Sequence, residues 1–197
     1  MRTLFDGPVH GVIFDLDGTL VVSDLDFAAI RSEIGIQDST PILEHLAQRE
    51  PAEQQQGYEI LERHERAAAQ GATLNDGAAE LLQLLRQHRT STAIVTRNSL
   101  SSVQIVMGRL GIAVNAVVAR DHAPPKPSKE PLMLACRMMG LSPQEVIFVG
   151  DYVFDRQAGA NAGIRTFILC NHRPPTEPDE IGSLHELTAW LTEALTK

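Results

Sequence analysis

Residues 11–20 read GVIFDLDGTL, in which a short apolar run is followed directly by Asp15, Asp17 and Gly18. An apolar run of this length is typical of a buried strand rather than a helix. The two aspartates are two positions apart, so strand pleating directs both carboxylates the same way, and Gly18 allows a sharp turn. Asp-Gly is also a common turn signal, but the preceding apolar run favours a strand that ends in two functional carboxylates.

Four further runs of the same kind follow, at residues 92–95, 116–119, 146–149 and 166–169. Segments with helical spacing separate these runs, and the last helix opens with a capping box from Ser183 to Glu186. Alternating strands and helices predict an α/β fold with a Rossmann-like parallel sheet core that is covered on both sides. Residues 171–181, which contain three prolines, predict a surface loop.

Residues 21–73 break this alternation, because they predict three helices and no strand. The helices are expected at 24–34, after Thr40 and Pro41, and over about 51–70. We interpret 21–73 as an inserted α-helical cap domain, called the cap below, and 1–20 plus 74–197 as the α/β core domain. Charged residues of the long third helix, Glu65 among them, are assigned to a solvated face. The apolar core of the cap is expected from Phe27, Ile30, Ile34, Leu43, Leu46, Ile60 and Leu61.

Composition narrows the class of protein. The chain has 197 residues and a formal net charge of −8, and it lacks the clustered basic residues that bind nucleic acid. No apolar run approaches the ~20 residues that span a bilayer. The two cysteines, Cys136 and Cys170, form no CxxC pair. We therefore expect a cytoplasmic protein that acts on a small molecule and binds neither nucleic acid nor membrane. The sequence leaves the oligomeric state open.

Polar side chains follow the ends of four predicted strands. They are Asp15 and Asp17, then Thr96, Arg97 and Asn98, then Lys126 in a loop, and finally Gly150, Asp151 and Asp155. The carboxyl ends of parallel strands meet at one edge of a sheet, so these groups are expected to converge. Two carboxylates ~4 Å apart repel by about 4 kcal/mol at an effective dielectric constant near 20. A cation is therefore needed, and Mg²⁺ prefers carboxylate and phosphate oxygens.

Positive charge and amide groups for a phosphate are also present at these strand ends. The Thr96 hydroxyl, with the amides of the next helix, would form a phosphate cradle. Lys126 lies between prolines that stiffen its loop, and it is the candidate lysine for phosphate binding. Lys129 is the alternative candidate for this role. Simpler roles exist, because Asn98 is also a good N-cap and Asp155 suits a helix N-terminus. Further positive charge at the rim is available from Arg31, Arg97, Arg120 and Arg173.

The four motifs resemble those of the haloacid dehalogenase-like (HAD) hydrolases, in particular the helical-cap phosphatases such as phosphoglycolate phosphatase. They occur in order as DLDGTL at 15–20, VTRN at 95–98, Lys126-Pro127, and GDYVFD at 150–155. The resemblance implies a Mg²⁺-dependent phosphatase that hydrolyses a small phosphorylated metabolite. It further implies that Asp15 is the nucleophile that forms an aspartyl-phosphate and that Asp17 is the general acid/base.

The resemblance also implies the ligands of phosphate and metal. The phosphate is expected on Thr96, Arg97 and Lys126. Mg²⁺ is expected on Asp15, the backbone carbonyl of Asp17, and Asp151. The supporting residues are Gly18, Asn98, Gly150 and Asp155.

Other reactions of the family can be compared with the residues. Dehalogenation is disfavoured because those members lack the second aspartate that Asp17 provides. Phosphonate cleavage is disfavoured because its Schiff base needs a cap lysine, and residues 21–73 contain no lysine. A phosphomutase of the β-phosphoglucomutase type shares all four motifs and remains an alternative. A non-catalytic phosphate-binding or interaction module is the alternative of another class, which the intact pair of aspartates disfavours.

Overall fold

The computed structural model describes residues 9–196. Residues 1–8 of the predicted core domain and Lys197 lie outside the described residues. In chain order the strands are β1 (Gly11–Phe14), β2 (Val21–Val22), β3 (Thr73–Leu74), β4 (Ser91–Val95), β5 (Ala116–Val118), β6 (Val146–Gly150), β7 (Arg165–Leu169) and β8 (Glu180–Ile181).

Eight α-helices are described in residues 9–196, together with a 3-10 turn at Pro143–Glu145. They are α1 (Phe27–Ile34), α2 (Ile42–Leu46), α3 (Pro51–Gly71), α4 (Ala78–Gln87), α5 (Leu100–Leu110), α6 (Glu130–Met139), α7 (Val153–Ala162) and α8 (Leu184–Leu195). Four of these helices end at a glycine in the left-handed conformation, Gly35, Gly111, Gly140 or Gly163.

Six parallel strands form the main sheet, in the order β5-β4-β1-β6-β7-β8. The central strand β1 pairs with β4 on one side and with β6 on the other. Val12 and Phe14 face a core cluster that includes α4, α5 and α8, whereas Ile13 faces a cluster that includes α6 and α7. The period of two in a strand therefore places helices on both faces of the sheet, and the predicted α/β fold is confirmed.

The strand predictions differ from the structure in one respect. The five predicted apolar runs form β1, β4, β5, β6 and β7, but three two-residue strands were not predicted. One of them, β8, lies in the segment 171–181 that was expected to be a loop. It pairs with β7, and buried Glu180 forms ion pairs with Arg156 (3.0 Å) and Arg173 (2.5 Å). Two residues carry no periodicity, so only these tertiary contacts define the strand.

The segment 21–73 contains the three predicted helices, α1, α2 and α3. The expectation of no strand is wrong, because β2 and β3 pair antiparallel at its two ends. The helices share an apolar cluster of Ile30, Ile36, Ile42, Leu43, Leu46 and Leu61. Phe27 was expected in this cluster but is 59% exposed. We retain 21–73 as the proposed cap, with the β2–β3 ribbon as its connection to the core.

Within residues 9–196, each helix is too short or too polar to cross a bilayer.

Two glycines inside helices provide a paired test of this packing. An added Cβ at Gly159 in α7 would lie 1.7 Å from Thr166 Oγ1 and 2.8 Å from its Cβ, whereas nothing lies within 4 Å of a Cβ at Gly108 in α5. We expect Gly159→Ala to lower the free energy of unfolding by about 1–3 kcal/mol through overpacking. Gly108→Ala should raise it by up to about 1 kcal/mol, because alanine favours the helix. Urea unfolding of both variants measures the difference, and equal effects would contradict the packing of α7 against β7.

Candidate active site

A buried lysine joins two aspartates at the carboxyl edge of the sheet. Lys126 is 2% exposed, and its Nζ lies 2.6 Å from Asp15 Oδ1 and 2.5 Å from Asp155 Oδ1. Asp15 follows β1, and its amide donates to the carbonyl of Val149 in β6 at 2.8 Å. The aspartate is therefore held at the strand end by its backbone and by one of its two carboxylate oxygens.

Burial changes the protonation equilibria of these groups. Burial raises the pKa of Asp15 well above its ordinary value, and the neighbouring Lys126 offsets only part of that rise. Burial alone would lower the pKa of Lys126, but the charges of Asp15 and Asp155 outweigh it and raise that pKa. The pKa of Asp151 is raised to about 6, first by burial and then by the charge of Asp155. The lysine is thus a stable cation, whereas Asp15 and Asp151 are costly to ionise.

Three carboxylates meet at this point. Oxygen atoms of Asp15, Asp151 and Asp155 lie within 4.8 Å of one another. When ionised they carry three negative charges, which Lys126 balances by only one. Clustered carboxylate oxygens are the ligand set that a hard divalent cation such as Mg²⁺ prefers, so the residues present fit the expected metal. The side chain of Asp17 does not belong to this cluster.

Two glycines allow the three carboxylates to approach. Gly18 has φ +76°, and an added Cβ there would lie 2.2 Å from Asp151 Oδ2. An added Cβ at Gly150 would lie 2.4 Å from the Cβ and Cγ of Asp155. Asp155 Oδ2 also accepts from the amides of Asp151 (3.2 Å) and Tyr152 (3.0 Å). Asp155 therefore shapes the turn after β6 in addition to its contact with Lys126.

Neutral groups hold Asp17, in contrast to Asp15. Asn98 Nδ2 donates to Asp17 Oδ2 at 2.5 Å, and the hydroxyl of Ser23 donates to Asp17 Oδ1. Asn98 was predicted as a supporting residue, whereas Ser23 was missed, because a serine in a polar turn has no local signal of function. The two carboxylates of the DLD segment thus lie in different environments.

Thr96 stands at the end of β4, before the N-terminus of α5. It is buried, and its Oγ1 accepts from the amide of Asn98 at 3.2 Å. Ser99 caps the helix and accepts from the amide of Ser102. Thr96, Asn98 and Lys126 all line the same cavity as Asp15. The predicted cradle of a hydroxyl and a helix N-terminus is therefore adjacent to the aspartates.

Arg97 was expected to bind phosphate, but its guanidinium contacts the cap. Nη1 and Nη2 donate to the two carboxylate oxygens of Glu44 at 3.0 and 2.7 Å. Nη1 also donates to the carbonyl of Lys126, and the guanidinium lies 4.5 Å from the centroid of the Phe154 ring. The charge of Arg97 is thus balanced by Glu44, and we propose that Arg97 joins cap and core.

A second polar contact between α3 and the core was missed by the sequence interpretation. Glu65 is 4% exposed, although it was assigned to a solvated face. It forms an ion pair with Arg120 and accepts from the amide of Ser99 at 3.1 Å and from Ser102 Oγ at 3.3 Å. Burial raises the pKa of Glu65, which the charge of Arg120 partly offsets. The helical spacing could have indicated that Glu65 is buried, because the buried residues of α3 repeat every four positions: Gly57, Leu61, Glu65 and Ala69.

A cavity of about 630 Å³ lies between the cap and this edge of the sheet. Its core side carries the aspartates, Thr96 and Lys126. Its cap side is mainly apolar and includes Phe27, Ile42 and Leu43, together with Arg31. The predicted site residues other than Gly150 therefore surround one space together with part of the cap.

Comparison with known proteins places the chain in a family. The family model described as haloacid dehalogenase-like hydrolase matches residues 22–169. The chain belongs to the haloacid dehalogenase-like hydrolases. It is 33% identical to a haloacid dehalogenase-like hydrolase domain-containing protein of Arabidopsis thaliana, over 82% of this chain and 71% of that protein.

Other members of the family support the enzyme class. The chain is 31% identical to the N-acetylmuramic acid 6-phosphate phosphatase of Pseudomonas putida, over 80% of this chain and 81% of that enzyme. A solved HAD-superfamily hydrolase from Ehrlichia chaffeensis has the same fold, with a TM-score of 0.70 and 21% identity over 97% of this chain and 100% of its own. The predicted family and enzyme class, a phosphoric monoester hydrolase, are confirmed.

The three-carboxylate cluster predicts a pH-dependent response to a divalent cation. At pH 8, Mg²⁺ at a hundredfold excess over its Kd should raise Tm by about 5–10 °C. Because the pKa of Asp151 is raised to about 6, the cation must displace a proton below that pH. The increase in Tm should therefore shrink at pH 5. Scanning calorimetry with and without Mg²⁺ measures both values.

Two variants control this measurement. Asp151→Asn should abolish the Mg²⁺-dependent increase and should leave the metal-free protein at least as stable at pH 8, because a buried negative charge is removed. Glu193→Gln removes an exposed carboxylate of α8 and should retain the full increase. An undiminished increase in Asp151→Asn would contradict the site.

Proposed function

We propose that this HAD hydrolase is a Mg²⁺-dependent phosphatase of small phosphomonoesters, with Asp15 as nucleophile and Asp17 as general acid/base. The observation that supports this proposal most strongly is the difference in contacts between the two carboxylate oxygens of Asp15. Oδ1 accepts from Lys126, whereas Oδ2 has no hydrogen-bond partner among residues 9–196. No fully buried side-chain N or O atom in that range lacks a partner, so Oδ2 is accessible. Because Asp15 lines the cavity, we infer that this oxygen is available there to attack phosphorus.

The reaction then proceeds through a covalent intermediate. Asp15 Oδ2 forms a bond to phosphorus while the bond from phosphorus to the leaving oxygen breaks, and Asp17 donates a proton to that oxygen. In the second step Asp17 takes a proton from a water molecule, whose oxygen attacks phosphorus. The bond between phosphorus and Asp15 breaks and the carboxylate is restored. Asp17 suits both steps because Ser23 and Asn98 orient it without a permanent counter-charge.

The phosphoryl oxygens need stabilisation while charge moves between these atoms. Lys126, Thr96 and the amides at the start of α5 surround the position that the phosphoryl group would take. When bound to the carboxylate cluster, Mg²⁺ would supply the positive charge that neutralises phosphate oxygens next to Asp15. Lys126 offsets part of the cost of ionising the buried Asp15 and orients the attacking carboxylate through Oδ1.

The substrate is proposed to be a small phosphorylated metabolite. The cavity between cap and core is lined on the cap side by residues of α1, of α3 and of the start of α2, so the leaving group contacts the cap. A phosphoglycolate phosphatase-like activity remains a prediction. The cytoplasm remains the proposed location, because both cysteines are buried and unpaired.

A phosphomutase would share the chemistry of Asp15 and Asp17 and differ only in the fate of the phosphoryl group. Product analysis separates the two: a phosphatase releases inorganic phosphate in equal amount to the alcohol, whereas a mutase returns an isomeric phosphoester. A non-catalytic module has no use for a nucleophile with an accessible oxygen, so the geometry favours an enzyme.

Substitution of the nucleophile tests the proposal directly. Asp15→Asn should lower Mg²⁺-dependent release of phosphate from p-nitrophenyl phosphate by at least about a thousandfold, because the amide cannot form the acyl phosphate. Chelation of the metal should also abolish the release. Asp76→Asn, in which the side chain is 91% exposed, is the matched control. Turnover by Asp15→Asn near the wild-type rate would disprove the nucleophile.

Asp17→Asn tests the acid/base role separately. General acid–base catalysis contributes about 10²–10⁴-fold, so kcat should fall by that range while KM changes little. Ser23→Ala, which removes only one of the groups that orient Asp17, should give a smaller decrease. Steady-state kinetics over pH 5–9 measures both variants. An unchanged kcat in Asp17→Asn would exclude this role.

A further inference from the structure

Arg31 is a basic residue of the cap that faces the active-site cavity. It lies in the last turn of α1, is half-buried and lines the cavity beside Ile42 and Leu43. Its Nη1 donates to the backbone carbonyl of Thr40 at 2.7 Å. Within residues 9–196 no carboxylate lies within ion-pair distance of this guanidinium, which leaves most of its five N–H donors without a protein acceptor.

The other cations of the cavity wall differ from Arg31 in this respect. Lys126 lies between two aspartates, and Arg97 is paired with Glu44. Asp38, in the loop that follows α1, directs Oδ1 to the amide of Thr40 at 2.9 Å rather than to Arg31. His172 also lines the cavity but is exposed and belongs to a loop. The hydrogen bonds from Thr40 lower the pKa of Asp38, and the charge of Arg31 adds a smaller contribution. Arg31 forms no ion pair within residues 9–196, so its remaining N–H donors are available for a ligand.

We propose that Arg31 binds a carboxylate on the leaving group, so the substrates are phosphorylated carboxylic acids. This inference rests on the proposed phosphatase function and adds the substrate class. The planar guanidinium matches a carboxylate with two parallel hydrogen bonds. Apolar Ile42 and Leu43 beside it exclude water and strengthen the pairing. The phosphoryl group lies on the core side of the cavity, so an acid on the leaving group extends towards the cap.

A second phosphate group is the other anion that could bind here, and the charges favour the carboxylate. A phosphate dianion carries about two negative charges, whereas Arg31 supplies one positive charge. One N–H donor of Arg31 is already used by the carbonyl of Thr40. Among the described residues that line the cap side of the cavity, Arg31 is the single Lys or Arg. A monoanion therefore balances the charge, and the preference between the two anions is an outcome of the test.

The experiment compares acids with neutral substrates of matched size. The pairs are 2-phosphoglycolate with 2-hydroxyethyl phosphate, and 6-phosphogluconate with sorbitol 6-phosphate. Fructose 1,6-bisphosphate with fructose 6-phosphate tests a second phosphate. Phosphate release gives kcat/KM for each substrate, and p-nitrophenyl phosphate reports the chemistry alone. We expect the wild-type enzyme to prefer at least one acid over its neutral partner by about tenfold or more.

Three variants test the role of Arg31. Arg31→Gln removes the charge and should lower the acid-to-neutral ratio of kcat/KM by about tenfold or more, mainly through KM. Arg31→Lys should retain part of the preference, because the charge remains while the planar fork is lost. The matched control is Arg63→Gln, since Arg63 is an exposed cap arginine paired with Glu33. It should keep the wild-type ratio.

Separate outcomes overturn the inference and the proposed function. Hydrolysis of p-nitrophenyl phosphate without any acid preference, or with a preference that survives Arg31→Gln, overturns the inference alone. A preference for the bisphosphate that is lost in Arg31→Gln assigns the residue to a second phosphate and also overturns it. If no substrate is hydrolysed, the proposed function fails. Calorimetric binding of 2-phosphoglycolate to Asp15→Asn, with and without Arg31→Gln, then still decides whether Arg31 binds the acid.

Discussion

The buried contact of Lys126 with Asp15 and Asp155 is the interaction on which the site depends. It joins three separate segments, because Asp15 follows β1, Lys126 belongs to the loop after β5, and Asp155 lies in α7. A buried ammonium is stable only with carboxylate partners, and the carboxylates are stable only with the ammonium. Each segment is therefore held in place by the charge of the others, and one oxygen of Asp15 remains directed to the cavity.

Negative charge exceeds positive charge at this contact. Asp151 joins the two aspartates that Lys126 contacts, and glycine at positions 18 and 150 removes the side chains that would keep them apart. The protein thus maintains an arrangement that is unfavourable without a cation. Such strain is typical of a functional site rather than of a core optimised for stability.

Polar contacts between cap and core complete the cavity. Glu44 pairs with Arg97, and Glu65 pairs with Arg120 while it accepts from the amide of Ser99 at the start of α5. The cap therefore contacts Arg97 and Ser99, which are the sequence neighbours of Thr96 and Asn98. Arg31 is different from these arginines, because it has no acidic partner in the described part of the chain, and this difference indicates a ligand.

The sequence predicted those features that depend on local order. Apolar runs of four residues identified five of the strands, and polar residues that follow four of these runs identified the predicted site residues. Two-residue strands such as β8 could not be predicted, since their pairing depends on contacts with distant residues. Ser23 was missed because its local sequence contains no signal of function, and only its hydrogen bond with Asp17 reveals it.

By itself, the sequence determined the α/β class and the convergence of Asp15, Asp17, Thr96, Lys126, Asp151 and Asp155, and it is the basis of the proposed cap. Strand ends must meet at one edge of a parallel sheet, so this much follows from periodicity. Only the tertiary structure decided how each charge is balanced. Arg97 and Arg120 meet acids from a different part of the chain, whereas Arg31 does not. Ion pairing depends on distances of a few ångströms between residues far apart in sequence, and no local pattern contains that information.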